Sequence, residues 1–431
     1  MASDPLAAVV GATLAHMYAW PTVEVPSIPA SPDVEDQLRL YDTARREVVE
    51  ASCRDESARI YVCGITPYDA THLGHANTYV TFDLINRVWR DLGKKVSYTQ
   101  NVTDVDDPLL ERAAQTGREW EELAEDQIEL FRSDMRDLRV LPPDHFIGAV
   151  ESIALVVELI EALLPSGLVY QIGDSEHPDW YFNTTGSPDF GGISHLGDAE
   201  MIEQFREKGG DPDRPGKRHP LDALLWRFSR PGEPSWSSPL GAGRPGWHIE
   251  CSAIALKYLG AEFDIQGGGS DLIFPHHEMC AAEAIVATGR PLAHVYVHSG
   301  MVALDGEKMS KSKGNLELVS RLRHAGADPM AIRLALLDQH YRTDWEWTPE
   351  LLVRASSRLE TWRGAVARDT ALPAAETIAG IRRALRSDLD APAALRVVDA
   401  WVAGSLAGDS DDVLAPSEVG AALDALLGLR L

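Results

Sequence analysis

The stretch from Arg59 to Val102 constrains the fold more than any other part of the sequence. Arg59-Ile-Tyr-Val-Cys-Gly64 is a short apolar run closed by glycine, the pattern of a buried strand. From Asn77 to Leu92 the apolar residues Val80, Leu84, Val88 and Leu92 recur at helical spacing, and after Gly93 a second strand signal runs from Lys95 to Val102. Strand, helix and strand in that order make a parallel βαβ unit. Ligands of such sheets gather beyond the carboxyl ends of the strands, which puts Cys63 and Thr103 at the binding edge.

The rest of the chain fits around that unit. Helices are expected from about Pro108 to Leu138 and from Pro143 to Leu164. Between Gly167 and Pro220 the composition turns to Gly, Pro, His and Asp around a short Tyr-rich strand at Asp179–Phe182, which reads as an insertion. A strand at Ala223–Phe228, a helix at His248–Leu259 and a strand at Glu262–Gln266 before Gly267-Gly-Gly269 then read as the second half of a doubly wound α/β domain. After Trp347, Leu, Ala and Val alternate with Arg and Asp at helical periods, as in a small helical bundle. Near the amino end, Ala19–Pro32 is rich in Pro and short apolar residues and is expected to be extended over a neighbouring surface. The expected organisation is an extended segment (1–40), a first catalytic half (41–165), an inserted subdomain (166–220), a second half (221–300), a lysine-loop subdomain (301–345) and a C-terminal helical bundle (346–431).

Composition excludes several classes of function. At 45% hydrophobic and 25% charged residues, with no apolar run long enough to cross a bilayer, the 431-residue chain reads as an ordinary globular protein. Its first residues carry Asp4 and no basic region, unlike a secretory signal, so a cytoplasmic place is expected. Forty basic residues against 66 acidic ones give a net charge of −26, which disfavours extended binding of nucleic acid. The last lysine is Lys313, and from Glu346 onward nine arginines face thirteen acidic residues, so the tail is no basic platform. Four cysteines, Cys53, Cys63, Cys251 and Cys280, suit metal binding or chemistry better than a disulfide framework.

Two motifs carry the chemistry. Thr71-His-Leu-Gly-His-Ala76 opens the helix after the first strand, where backbone N–H groups favour anions, so a nucleotide phosphate fits there. Alone it is equally a helix terminus with incidental histidines. Gly306-Glu-Lys-Met-Ser-Lys-Ser-Lys-Gly314 puts three lysines in a glycine-bounded loop, suited to the charge that develops on a transferring phosphate. Alone it is equally a solvated basic turn.

His72-Leu-Gly-His75 and Lys308-Met-Ser-Lys-Ser312 together resemble the two signatures of class I aminoacyl-tRNA synthetases. Tyr61-Val-Cys-Gly-Ile-Thr-Pro-Tyr68, Arg244-Pro-Gly-Trp-His-Ile-Glu-Cys251 and Gly267-Gly-Gly-Ser-Asp-Leu-Ile-Phe-Pro-His-His277 resemble the cysteine-specific members, and the resemblance runs from about residue 40 to 345. Within that group, Glu207-Lys-Gly-Gly-Asp-Pro212 with Asp213-Arg-Pro-Gly-Lys217 and Leu221-Asp-Ala-Leu-Leu-Trp226 resembles the branch that joins cysteine to glucosaminyl-inositol in mycothiol biosynthesis rather than to tRNA. Cys63-Gly-Ile-Thr-Pro-Tyr-Asp69 and Asn101-Val-Thr-Asp-Val-Asp-Asp-Pro108 point the same way.

The resemblance implies a Rossmann-like catalytic domain of the α/β class, with an inserted subdomain and a C-terminal α-helical bundle. It implies an AMP-forming ligase that activates L-cysteine with ATP and Mg2+ and passes it to the amine of glucosaminyl-inositol. A cysteinyl-tRNA synthetase and a non-catalytic regulator that binds zinc and nucleotide are the alternatives. The ligand set implied for one Zn2+ per chain is Cys63, Cys251 and His276. Spacing alone leaves these cysteines equally readable as small buried hydrophobes. A zinc ion with three protein ligands keeps an open position, which a cysteine thiolate fills far better than a serine hydroxyl.

Cys280 departs from the family, standing where related cysteinyl-tRNA synthetases carry a glutamate ligand. It is either a further ligand or a spare thiol facing the core. Cys53 reads as uninvolved. By the same carry-over, His72, His75, Lys308 and Lys311 stabilise the α-phosphate transition state. Cys63, Gly64, Ile65, Thr66, Thr78, Asn101, Val102 and Thr103 line the adenylate, and Trp247 walls the cysteine side. Gly269, Ser270 and Asp271 approach the ribose, the backbone at Ala303 meets adenine, and Asp271 is the candidate base for the acceptor amine. Asp106 and Asp107 read as a helix cap and a solvated group. A monomer is expected, with no membrane or nucleic-acid partner.

Overall fold

The structure is a computed structural model that describes residues 17–30, 37–51, 53, 56–68, 71–304, 306–309, 315–408 and 410–431. A hairpin of β1 (Arg39–Asp42) and β2 (Glu47–Glu50) precedes the βαβ unit. That unit consists of β3 (Ser57–Ile65), α1 (Leu73–Asp91) and β4 (Lys95–Val102). β3 and β4 run parallel in register from Ser57 opposite Lys95 to Val62 opposite Gln100, then slip at Cys63-Gly64 before Ile65 meets Val102. The slip has a steric cause. A Cβ on Gly64 would lie 1.6 Å from the carbonyl oxygen of Asn101, so only glycine lets the strands come this close.

The helix expected over 108–138 is two helices, α2 (Asp107–Thr116) and α3 (Trp120–Asp137), divided at Gly117, whose left-handed backbone (φ 64°) ends the first. The helix expected from Pro143 begins instead as a strand, β5 (His145–Gly148), which pairs in parallel with β4, and helix α4 starts only at Ile153 (Ile153–Leu163). His145-Phe-Ile-Gly is too short to show a period, and its buried apolar residues suit the edge position beside β4.

The insertion contains β6 (Val169–Gln171), β7 (Trp180–Phe182), helix α5 (Asp198–Glu207), β8 (Ala223–Phe228) and β9 (Gly243–Pro245). These strands form one antiparallel sheet in the order β6-β7-β8-β9. The strand over 223–228 therefore belongs to the insertion rather than to the second catalytic half, and the expected division at residue 220 falls inside this sheet. The buried apolar residues Ala223, Leu225 and Trp226 suit this antiparallel sheet as well as they suit a parallel core.

The main domain resumes with α6 (Trp247–Leu259), β10 (Phe263–Gly269), α7 (Glu278–Thr288) and β11 (Ala293–Ser299). Its parallel sheet has the order β11-β10-β3-β4-β5. β10 runs on through Gly267–Gly269 because α1 lies close across it: a Cβ on Gly267 would fall 2.3 Å from the Phe82 ring. A small sheet of β12 (Val302–Leu304), β13 (Glu307–Lys308) and a later strand follows, then α8 (Val319–His324) and α9 (Pro329–Leu337), with β14 (Trp345–Trp347) closing that sheet against β12. Helices α10 (Pro349–Val366), α11 (Ala375–Arg386), α12 (Ala391–Ala407) and α13 (Ala415–Leu427) form the expected C-terminal bundle.

α1 is the centre of the molecule, buried between the parallel sheet on one side and α9 and α13 on the other. Residues 17–30 form no helix or strand, and Trp20 ties them to the domain. Trp20 is 3% exposed, packs edge-on against Phe131 and Phe146, and donates from its indole to the Val140 carbonyl at 2.8 Å. Among the described residues, no helix is long and apolar enough to cross a membrane.

Candidate active site

The site forms where β3, β4 and β10 end and α1 begins. His72 caps α1 in an extended conformation, its Nδ1 accepting from the backbone N–H of His75 at 3.4 Å, and the two imidazoles stack with centroids 3.8 Å apart. Gly74 between them is a steric requirement, since a Cβ there would lie 2.8 Å from the His72 ring. The same turn receives the chain returning from the lysine loop: Leu73 N–H donates to the Glu317 carbonyl at 2.9 Å and Val319 N–H to the Thr71 carbonyl at 3.1 Å. The outgoing end of that loop is also fixed, because Lys308 pairs with Ala303 in the β12–β13 ladder. The start of α1 and the chain around Glu317 and Val319, distant in sequence, thus form one wall. Lys311 lies outside the described residues, as does Asp69. Thr78, one turn into α1, bonds to the Gly74 carbonyl at 3.2 Å and to Ser299 Oγ at 2.7 Å.

Behind this wall Cys63, Cys251 and His276 converge. One donor atom from each lies within 4.8 Å of the others, and all three residues are buried. Cys63 comes from the bulge in β3, Cys251 from the second turn of α6, and His276 from the kinked turn Ile273–His277 that precedes α7. The His276 ring stacks on Trp247 at 4.4 Å, with its Nδ1 3.0 Å from His248 Nδ1. Cys63 Sγ is 3.2 Å from His277 Nε2 and accepts from the Gln266 amide at 3.4 Å.

Their surroundings push the two thiols in opposite directions. Burial pushes the Cys63 thiol well up, and hydrogen bonding and charge from Cys251 push it further. Burial acts the same way on Cys251, but the hydrogen bond from Cys63 and the His276 imidazole outweigh it and hold that thiol well below its usual range. Two adjacent thiols in so dry a place ionise together only against a cation. Two sulfurs and an imidazole are a donor set that zinc favours, so the residues present fit the metal. Cys280 lies against this group rather than in it, its thiol donating to the His248 carbonyl at 3.3 Å with His276 Nε2 4.0 Å away. Cys53 is half-buried beyond the site, its thiol pushed up to about 11 chiefly by burial.

The adenylate-side residues are cross-braced. Asn101 Oδ1 accepts the Gly64 N–H at 2.7 Å, while its Nδ2 donates to Glu250 Oε1 at 2.9 Å and Thr103 Oγ1 donates to the same oxygen at 3.0 Å. Sequence reasoning missed Glu250, although it stands beside Cys251 in a motif already singled out. It also missed the line of imidazoles behind the metal-type group, His277 Nδ1 to His298 Nε2 at 2.8 Å and His298 Nδ1 to Thr43 Oγ1 at 2.7 Å. Ser270 and Asp271 occupy a short turn after Gly269, half-buried. Asp106 caps α2 by accepting the Asp107 N–H at 2.8 Å, and exposed Asp107 pairs with Arg244.

The parallel α/β sheet, the histidine-capped helix and the buried thiol–imidazole set agree with the class I synthetases that the sequence motifs resemble. Residues 49–357 match the family described as tRNA synthetases class I (C) catalytic domain, and the chain belongs to that family. Over nearly its whole length it is similar to the L-cysteine:1D-myo-inositol 2-amino-2-deoxy-alpha-D-glucopyranoside ligase of Thermomonospora curvata, 60% identical over 96% of this chain and 100% of that one. The ligase of the same name from Catenulispora acidiphila is 58% identical with the same coverage. Among solved structures, Mycobacterium tuberculosis methionyl-tRNA synthetase in complex with methionyl-adenylate shares the fold, with a TM-score of 0.59 over 86% of this chain and 89% of that one at 17% identity.

Proposed function

We propose that this chain is an AMP-forming carbon–nitrogen ligase that joins L-cysteine to the amine of glucosaminyl-inositol through a cysteinyl adenylate, in mycothiol biosynthesis. The observation that carries the reading is the convergence of Cys63, Cys251 and His276, buried and next to the strand ends that line a nucleotide site. Cys63, Cys251 and His276 would hold zinc, which would supply an open position favouring the thiolate of cysteine over the hydroxyl of serine. A pocket relying on shape alone would gain only about 1–3 kcal/mol from so small a difference.

In the first half-reaction the amino acid carboxylate attacks the α-phosphorus of Mg-ATP and diphosphate leaves. The N–H groups at the start of α1, His72 and His75 hold the phosphate, and Lys308 and Lys311 neutralise charge from the loop side. Gly64, Ile65, Thr66, Thr78, Asn101, Val102 and Thr103 line the adenylate, with Gly269 and Ser270 at the ribose, the Ala303 backbone at adenine and Trp247 beside the cysteine. In the second half-reaction the neutral amine attacks the cysteinyl carbonyl. The carbon–nitrogen bond forms, the bond to AMP breaks, and Asp271 takes the proton.

The acidic balance of the chain and the relatives' printed name support the small aminosugar acceptor over tRNA. The reading takes the enzyme as a cytoplasmic monomer without membrane or nucleic-acid partners. The deciding test is AMP release from ATP and cysteine by the purified protein, with added glucosaminyl-inositol compared against added tRNA. Stimulation by the aminosugar with a new amide product is expected. Stimulation by tRNA alone makes the protein a cysteinyl-tRNA synthetase, and turnover with neither makes it a binding protein.

A further inference from the structure

The segment Glu207-Lys-Gly-Gly-Asp-Pro212 has no part in the reaction as described. Yet Lys208, directly after α5, reaches out of the inserted module into the turn that carries Asp271. Its Nζ donates to the carbonyls of Asp271 at 2.7 Å and Phe274 at 2.5 Å, and to Gln204 Oε1 at 3.3 Å. An ammonium can serve several acceptors at once.

The two carbonyls need an outside donor for a reason written in the sequence. In a continuous helix the Asp271 carbonyl would accept from residue 275, but that residue is proline and has no N–H. The Phe274 carbonyl would accept from the Glu278 N–H. Phe274 is extended instead (φ −133°, ψ 137°), and the Glu278 N–H goes to the Ile273 and Pro275 carbonyls. Lys208 supplies both missing donors.

What flanks this turn is held by other means. Gly267–Gly269 lie in β10, paired to β11 as far as Ser299. His276 is held from His248 at 3.0 Å, and the Glu278 carboxylate accepts the backbone N–H groups of Gly191 and Ser194 at 2.8 and 2.7 Å. Within the stretch from Asp271 to Phe274, the Phe274 ring is buried against Met201 and Phe205, and Lys208 takes the carbonyls at its two ends.

We propose that Lys208 is a positioning residue for the transfer step: it holds the 271–274 turn so that the Asp271 carboxylate faces the acceptor amine. This rests on the reading that Asp271 takes the proton of that amine. The test compares Lys208→Met and Lys208→Arg with the wild-type holoenzyme in cysteine-dependent exchange of diphosphate into ATP and in single-turnover transfer from preformed adenylate to glucosaminyl-inositol. For Lys208→Met, exchange stays within about threefold of wild type while transfer slows ~30–100-fold, the scale of a small displacement at a reacting group. Lys208→Arg, which keeps donors for two carbonyls, recovers most of that loss. Equal falls in exchange and transfer, undiminished transfer in Lys208→Met, or an arginine variant no better than the methionine one would each overturn the proposal. Exchange without aminosugar transfer in the wild-type enzyme would overturn the ligase reading itself, and this proposal with it.

Discussion

Glu283, in α7, is fully buried with one carboxylate oxygen accepting from Ser252 Oγ at 2.6 Å, and burial pushes its pKa up from 4.5 to about 8. A carboxyl raised in the folded state stabilises the fold fully below its unfolded value, and that contribution is lost as pH rises through the folded one. Wild-type stability should therefore decline between about pH 4.5 and 8 by a few kcal/mol at most, at about 1.4 kcal/mol per unit. Glu283→Gln should flatten that decline, read as melting temperature across pH 5 to 9; an unchanged slope would place the titration elsewhere. At Asp271 the measurement is chemical. Asp271→Asn should leave diphosphate exchange measurable and slow amide formation by about 10²-fold or more, in the range general bases contribute, and transfer at the wild-type rate would remove the base assignment. The metal-type residues were legible because the motifs around them resemble a family, whereas spacing left them ambiguous. Glu250 and His248 were not legible, because each acts by holding another side chain, and such a role leaves no mark of its own in a sequence.

Elements were legible where one periodicity held throughout. The strand expected over Lys95–Val102 is the strand observed: after the glycine turn, Lys95 and Ser97 alternate with buried Val96 and Tyr98, the period of a strand. The reading failed where the run was shorter than the period. His145–Gly148 shows no alternation and is a strand only because β4 offers it an edge. Ala223–Phe228 is the strand expected, though its partner β7 is one that local sequence does not name. The bulge at Cys63-Gly64 is the element on which the site depends most. It presents the Cys63 thiol to Cys251 while the Gly64 N–H is fixed by Asn101. Gly64→Ala must push β3 and β4 apart, since the added carbon would overlap the Asn101 carbonyl, and both the adenylate wall and the thiol shift together. The expected result is adenylate formation reduced by about 10²-fold and less than one zinc retained per chain. A variant with full zinc and normal exchange would show that the bulge tolerates the side chain.

At the scale of the whole molecule, α1 joins the catalytic sheet to the C-terminal bundle through buried charge. The Asp83 carboxylate accepts from Arg87 Nε at 2.7 Å, from the Leu141 N–H at 2.8 Å and from Arg333. Arg333 in turn donates to the carbonyls of Leu427 at 2.7 Å and Leu138 at 2.8 Å, and Arg87 to that of Asp424 at 2.7 Å. The two arginines thereby satisfy the carbonyl end of α13, which closes at Gly428 with a left-handed backbone (φ 65°) against the Arg333 guanidinium. Burial alone would raise the Asp83 pKa, but the two guanidinium groups outweigh it and hold the carboxylate ionised. Removing that charge leaves two buried cations facing each other, the situation in which a broken buried pair costs about 3–5 kcal/mol. Asp83→Asn should lower stability by that amount in urea unfolding. Because the network docks α13 onto α1, trypsin should cut within the bundle before it cuts the catalytic sheet. The acidic helices at the carboxyl end then have a structural purpose that needs no RNA: they cover the face of α1 turned away from the parallel sheet. A loss below about 1 kcal/mol, the range of surface pairs, would mean that the bundle is held by apolar packing alone and that α1 is not the link between the two halves.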